Sequence, residues 1–483
     1  MKMNKANMAL AITLGLTVAA HAGSSSTTQI APTTTQAVYI SGSSVFRTQI
    51  YNGLSDLGLS AQADDSSGNS QFTFTGTPNT NKVSNTTKAG WGTLTSAFTN
   101  TSVTVYVSLD GSVQGIHAAV NPSYLVYFEN VETGGGYGVG GGQGGFGTGG
   151  ASSPLLFPHA STFAFSDVEQ NSTVYTSTHL NEIESQDAVA AANGPQGYGE
   201  GIVIEPFLWA ANAAATASNV SNIDPSEAGL LFSGGALPLS YWTGNAADSG
   251  STAADQVVLT GRDTSGGIRI IEEDLAPYPT TSEIYQYGIG ITSGNAGGVW
   301  ADPATLAAGA VWGPASGGAG SASTDINIDG GYATGSKEAD AIIYPGATPA
   351  VAYLSWNDAK VVTNPSLSTS GWTTTPVAGS IINYNGVNIV TNTSGKYPQY
   401  NVAAVQNGEW PFWSYVHLFE SSTVSAGSGY DSQDFGPGVV ASIVYEVAQE
   451  SPTTPITAIL ESTVNVVRTQ DGASVVNNQF SPQ

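Results

Sequence analysis

Val38-Tyr39-Ile40-Ser41-Gly42-Ser43-Ser44-Val45-Phe46 (VYISGSSVF) is the stretch that decides the fold. Its β-branched and aromatic residues predict a short buried strand, and Ser41-Gly42-Ser43-Ser44 predicts the turn that ends it. Beyond the turn, Phe46, Ile50, Leu54 and Leu57 recur three or four residues apart, the spacing of one helix face. The unit is strand, small-residue turn, amphipathic helix.

The unit recurs along the chain. Val103 to Leu109 is a second strand, ending in Asp110-Gly111-Ser112, after which Val113, Ile116 and Val120 resume a helical pattern. Phe163-Ala164-Phe165 ends at Ser166-Asp167, and Gly201 to Leu208 (GIVIEPFL) reads as a buried strand. Asp224-Pro225-Ser226-Glu227 combines an N-cap, a proline at the first helical position and a glutamate at the third, opening a helix through Leu231. Val257-Val258-Leu259 runs into Gly261-Arg262-Asp263-Thr264-Ser265-Gly266-Gly267; Ile342-Ile343 and Val351 to Leu354 read as two more strands. Strands alternating with helices predict an α/β architecture with largely parallel sheets.

Composition narrows the function. The 483 residues carry 36 acidic against 11 basic side chains, a formal net charge of −25, and only 10% are charged. Hydrophobic residues reach 40%, ample for a core, and the length suits two or three domains or one large two-lobed unit. So few lysines and arginines leave binding to phosphate backbones or anionic lipid without its usual driving force, so nucleic acid and membrane surfaces are excluded as the main partners. The absence of cysteine excludes disulfides, thiolate metal sites, cysteine nucleophiles and a lipidated N-terminal cysteine. Lys2 and Lys5, an apolar stretch from Ala9 to Ala20 and the A-x-A site Ala20-His21-Ala22 predict a signal peptide over 1–22, too short to span a bilayer. The exported chain, periplasmic or secreted, then starts at Gly23, and loss of two lysines takes its charge from −25 to −27. Residues 23–36 read as a flexible polar lead-in.

Two stretches break the rhythm. Residues 134–150 hold 12 glycines without a three-residue period and read as a surface insertion, and 293–324 reads as a second, loop-rich insertion. No G-x-S-x-G elbow, H-E-x-x-H or G-x-x-x-x-G-K-[ST] loop is present. His117, His159, His179 and His417 are not spaced as a metal pair and read as structural or surface residues; no cofactor is called for. Asp325, Asn327 and Asp329 open an EF-hand-like D-x-N-x-D-G run, but the twelfth position is Ser336 rather than glutamate, which leaves both a calcium site and a plain strand-to-turn open.

The informative pattern is chemical. Ser43-Ser44, Asp110-Gly111-Ser112, Ser166-Asp167 and Arg262 with Ser265-Gly266-Gly267 each follow an apolar strand. In open α/β sheets, strand carboxyl ends converge on the ligand crevice, and helix N-termini there offer free N–H groups and a positive dipole end. Serine hydroxyls add donors, and one arginine adds a planar fork for an oxyanion. The competing reading is that these are ordinary caps and turns, where the same residues are favoured.

In this order, S-G-S-S-x-F-R from Ser41, D-G-S-V-Q-G-I from Asp110, F-S-D-V from Phe165 and G-R-D-T-S-G-G from Gly261 resemble the periplasmic phosphate-binding proteins of phosphate ABC importers and, more broadly, the type 2 periplasmic binding proteins. Gly201 to Pro206, the helix opened by Asp224 and Asn407-Gly408-Glu409-Trp410-Pro411-Phe412-Trp413 add to the resemblance, which runs from about Val38 to about Leu418. It implies two lobes joined by a hinge crossed twice, with a ligand in the cleft: lobe 1 over 37–208 and 363–483, lobe 2 over 209–362. It also implies that Ser43, Ser44 and Val45 contact the anion, Ser112 adds a hydroxyl, and Asp167 accepts the proton of a protonated phosphate. Arg262 would pair with both the anion and Asp167, and Ser265, Gly266 and Gly267 would match the family's S-G-T turn. Gly267 stands where that turn has threonine, and Arg262 lies one residue closer to the serine, with Arg269 a second candidate cation.

Three hypotheses follow: an exported solute-binding protein capturing phosphate or a similar protonated oxyanion for an ABC permease; a surface or secreted structural or adhesive protein on a scaffold that has lost its ligand; and a phosphate-ester hydrolase, for which no catalytic constellation can be assembled. The first expects Ser43, Ser112, Asp167, Arg262 and Ser265 to converge, and Arg262→Ala to abolish binding with little loss of fold. The scarcity of charge suits acidic surroundings, in which the chain is expected to stay folded.

Overall fold

Alternation of buried side chains builds the first sheet. In the computed structural model, Val38 and Ile40 of strand β1 (Ala37–Gly42) face one apolar cluster while Tyr39 faces another. The structure describes residues 37–62, 70–78, 102–129, 156–183, 201–280, 282, 284–290, 300, 302–315, 330–392, 397–422, 435–449, 458–468 and 470–477. The expected signal peptide and lead-in, the glycine-rich run 134–150 and the calcium-like Asp325, Asn327 and Asp329 lie outside them.

Strands β2 (Ser60–Ala61), β3 (Gln71–Gly76), β4 (Val103–Leu109), β5 (Phe163–Ser166) and β6 (Asn181–Glu182) follow β1. The chain then crosses to β7 (Ile204–Ala211), β8 (Asn222–Ile223), β9 (Ala236–Pro238), β10 (Gln256–Thr260), β11 (Ala350–Ser355), β12 (Ser380–Tyr384) and β13 (Trp413–Tyr415), and returns at β14 (His417–Glu420). The first sheet has the order β2-β3-β4-β1-β5-β14-β6; the second runs β8-β12-β7-β11-β10-β9, with β13 also pairing β7. The fold is α/β with two seven-stranded sheets, one for each of two lobes.

The sheets are mixed rather than largely parallel. β1 lies parallel to β4 and β5, and β10 to β11, but β3, β14, β7 and β9 run against their neighbours. Strand β3 and the returning β14 enter from the far end of the first sheet, a direction no strand–helix alternation can reveal.

The helices that matter are α1 (Arg47–Asp56), α2 (Ser112–Val120), α3 (Pro225–Gly234), α4 (Gly267–Leu275), α5 (Gly335–Ile343), α6 (Trp356–Thr363) and α7 (Phe435–Gln449). Asp224 and Glu227 form the predicted capping box of α3. Ile342 and Ile343, expected as a strand, instead end α5; two β-branched residues within a helical run cannot be told from a strand by periodicity. Within 293–324, Trp312–Ala315 pairs antiparallel with Gln286–Ile289, so part of the expected loop is a strand.

The chain crosses between sheets twice, side by side. Ile202 N–H donates to Val416 C=O at 2.7 Å, Val416 N–H returns to Val203 C=O at 2.9 Å, and Tyr415 pairs with Ile204. These pairings move the expected boundaries. Ser380–Ile382, assigned to lobe 1 by the division at 362/363, pairs with β7 of the second sheet, so the second crossing falls at 415–417 and the first at 202–204. One apolar cluster extends across the junction, joining Val45, Ile116 and Val168 of the first lobe to the core of the second. Among the described residues no helix is long and apolar enough to cross a membrane.

Candidate functional site

Strand ends of both lobes meet at one place. Ser43 follows β1, donates its N–H to Phe165 C=O at 2.9 Å, and caps the single 3-10 turn Ser44–Phe46 that leads into α1, its Oγ accepting from Val45 N–H at 3.4 Å. Gly115 of α2 rides against this turn, since a Cβ there would stand 2.6 Å from Gly42 Cα. Ser44 is buried, and its Oγ has no hydrogen-bond partner among the described residues.

Ser112 opens α2 and donates its Oγ–H to Asp167 Oδ1, while Asp167 N–H donates back to Ser112 Oγ at 3.3 Å. The second lobe closes on this pair. Gly267 opens α4 against Asp167, where any Cβ would collide with Oδ1, and Gly111 lies equally close to Ser265. Val113 N–H donates to Ser265 C=O at 3.1 Å. The departure of Gly267 from threonine thus has a cause here: position 267 has no room for a side chain.

Arg262 is 2% exposed and lies at the centre. Its Nε donates to Tyr332 C=O at 3.0 Å, and its Nη2 donates to Ala333 C=O and, across the cleft, to Asp110 C=O at 2.9 Å. The resemblance implied an ion pair with Asp167; among the described residues none forms, and the guanidinium acts on Asp167 through its charge. The fork is occupied by carbonyls that the surrounding turns present. Arg262→Ala would remove a donor from the carbonyls of Ala333 and Asp110, so a loss of stability is expected beside the loss of binding. Arg269, the alternative cation, is buried and donates its Nε to Glu273 Oε1 at 2.8 Å within its own helix.

Besides accepting from Val113 through its carbonyl, Ser265 is held within its own loop: its N–H donates to Asp263 Oδ1 at 2.9 Å, and its Oγ–H donates to the same oxygen. Gly266 is held against Arg262, a Cβ there standing 2.8 Å from Arg262 Cβ. Val45 contributes its backbone to the turn and its side chain to the shared apolar cluster.

Burial dominates the electrostatics. It raises the carboxyl of Asp167 above its ordinary range, against the Ser112 hydrogen bond and the Arg262 charge. Asp263 is raised likewise, and Asp110 is pushed up to about 6 by burial and by Asp263, against Lys337 and Arg262. Two buried carboxyls, Asp167 and Asp263, and the half-buried Asp110 thus share this region with Arg262 and Lys337.

Sequence scanning missed Asp263, Lys337, Asp358 and the role of Arg47. Lys337 and Asp358 lie in the first turns of α5 and α6, and Lys337 follows no apolar strand, the signal used for the other sites. Arg47 is buried; Nη1 donates to Ser44 C=O at 2.7 Å, and Nη2 pairs with Asp358 at 2.7 Å. The histidines are placed by packing: His159 stacks on Tyr39, His117 on Tyr175, and buried His417 lies 2.6 Å from Glu182. Among the described residues no group of three or more His, Asp or Glu side chains is arranged to hold a metal.

No family model matches the chain, and no curated protein matches it. Similar solved structures include one presented as a phosphate ABC transporter substrate-binding protein with bound phosphate from Clostridium perfringens, at 10% identity, 83% of this chain, 92% of that chain and a TM-score of 0.37. Another is an ABC-type phosphate transport receptor from Vibrio cholerae, at 9% identity, 85% of this chain, 98% of that chain and a TM-score of 0.34. Both likenesses are too distant to carry function.

Proposed function

We propose that this chain is an exported solute-binding protein that captures phosphate, or a similar protonated oxyanion, between its two lobes for delivery to an ABC permease. What supports this reading is the meeting of the N-termini of α2 and α4 at Asp167, together with the buried, unpartnered Ser44 hydroxyl of the turn at the neighbouring strand end. Helix N-termini and hydroxyls supply anion donors at close range, so they work inside a strongly acidic chain. Asp167, raised by burial, suits an anion that still carries a proton. Lobe closure and no bond chemistry is all the function requires. Equilibrium dialysis of labelled phosphate against wild type and Arg262→Lys tests it: wild type retains phosphate, and the variant, whose single ammonium cannot replace a planar fork, retains about tenfold less or none. Equal retention by the two overturns the assignment of Arg262.

A structural or adhesive role on the same scaffold has one observation in its favour. Arg262 Nε and Nη2 and Asp167 Oδ1 already have protein partners. On that reading neither phosphate nor sulfate binds.

A further inference from the structure

Arg47 joins the two lobes through a single side chain. It opens α1, three residues after the Ser44 hydroxyl that faces no partner. Nη1 binds the carbonyl of Ser44 in its own lobe, and Nη2 reaches Asp358 Oδ1 of α6 in the other lobe, each at 2.7 Å. The two side chains are 7% and 1% exposed. Asp358 is itself fixed: Oδ2 accepts from Ser355 Oγ, the cap of α6, at 3.0 Å, and Gly335 at the start of α5 leaves no room for a Cβ beside it. Asn357 Nδ2 donates to Thr48 Oγ1 at 3.0 Å, adding a neutral bond between the same two helices.

A buried ion pair between elements of different lobes exists only while those lobes touch. Separating them exposes both charges to water, so the pair's contribution lies in the closed arrangement, and removing one partner leaves the other buried and unpaired. The same guanidinium fixes the carbonyl of the Ser43–Val45 turn, so the turn's shape and the closure are set by one group. We propose that Arg47 and Asp358 form an interlobe clasp, in which Arg47 is a positioning residue that shapes the first anion turn and holds the second lobe shut over it. The ligand side of this proposal rests on the solute-binding reading above; the closure side does not.

The test uses full-length exported protein carrying Arg47→Met, Asp358→Asn, both together, or Arg47→Lys, with circular dichroism to show that each is folded. Small-angle scattering without added anion is expected to give both single variants a larger radius of gyration than wild type, with Arg47→Lys between. Stopped-flow measurement with phosphate is expected to give release about 30-fold faster or more in the single variants, with association changed less than about threefold. The double variant is expected to be no worse than the poorer single, since neither charge is then left alone. Wild-type scattering and release in the folded single variants, or a double variant whose effects multiply, overturns the clasp. If wild type binds no phosphate, the solute-binding reading fails and scattering alone decides the clasp. If Arg47→Met does not fold, Asp358→Asn and Arg47→Lys decide by the same criteria.

Discussion

Arg262 of the second lobe donates through Nη2 to the carbonyl of Asp110 in the first, at 2.9 Å. Asp110 follows β4 and Arg262 follows β10, so one side chain ties together the turns after a strand from each sheet. The guanidinium is a strut between the two lobes and, on the proposed function, would also supply the cation for the ligand. Predictions about ligand binding and about fold therefore meet at the same few residues.

Ser44→Ala separates the two. Its Oγ is buried and unpartnered among the described residues, so removing it takes nothing from the ligand-free fold. The melting temperature is expected to stay level or rise, while phosphate affinity falls about tenfold to a hundredfold through loss of a hydroxyl bond to a charged ligand. Calorimetry and a thermal melt on one preparation measure both; unchanged affinity removes Ser44 from the site.

Gly267→Ala acts on closure. The new methyl would meet Asp167 Oδ1, and overpacking of this kind costs about 1–3 kcal/mol. Urea unfolding should show that loss and small-angle scattering an opened pair of lobes. A variant with the wild-type midpoint and radius would contradict the close apposition described here.

Stability should be greatest in acid. Burial pushes Asp110 up to about 6, Asp274 to about 6 and Asp340 to about 7, each from an ordinary value of 3.8. A raised carboxyl binds its proton more tightly in the folded chain, so stability is present while it is protonated and falls as pH rises through the window from about 4 to 7. Thermal melts from pH 3 to 8 should show the melting temperature declining across that window. Unfolding below about pH 4, or a maximum near neutrality, would contradict this.

His417 extends the decline. Burial alone would lower its pKa, but the charge and hydrogen bond of Glu182 outweigh it and leave the imidazole at about 9, raised from 6.5. The stability from this pair is fully present below 6.5 and is lost as pH rises through 9. His417→Gln should flatten the melting curve between pH 6.5 and 9.5 and leave its acid limb unchanged. Parallel wild-type and variant curves over that interval would rule the pair out as the cause.

Much of the frame was legible in the chain. Val103–Leu109 is a strand with the predicted bounds, Ser112 opens a helix after it, and Asp224 caps α3, because each is fixed by local pattern and turn chemistry. The sequence leads one to expect Ser43, Ser112, Asp167, Arg262 and Ser265 near one another because each follows a strand end; the structure pairs Ser112 with Asp167 and sets Gly111 against Ser265. Strand direction, the boundary at 415–417 and the partners of Arg262 could not be expected, since they depend on chain segments far apart in sequence. The Arg47–Asp358 pair spans 311 residues and carries no local signal in either stretch.

Titration of phosphate, with sulfate as the control, into the chain from Gly23 onward, after partial unfolding has stripped any bound anion, decides whether the proposed function holds. Micromolar or tighter phosphate binding with sulfate ignored is expected, the discrimination proposed for Asp167. A well-folded sample that takes up neither anion would contradict the proposed function, and equal binding of both would contradict the role of Asp167.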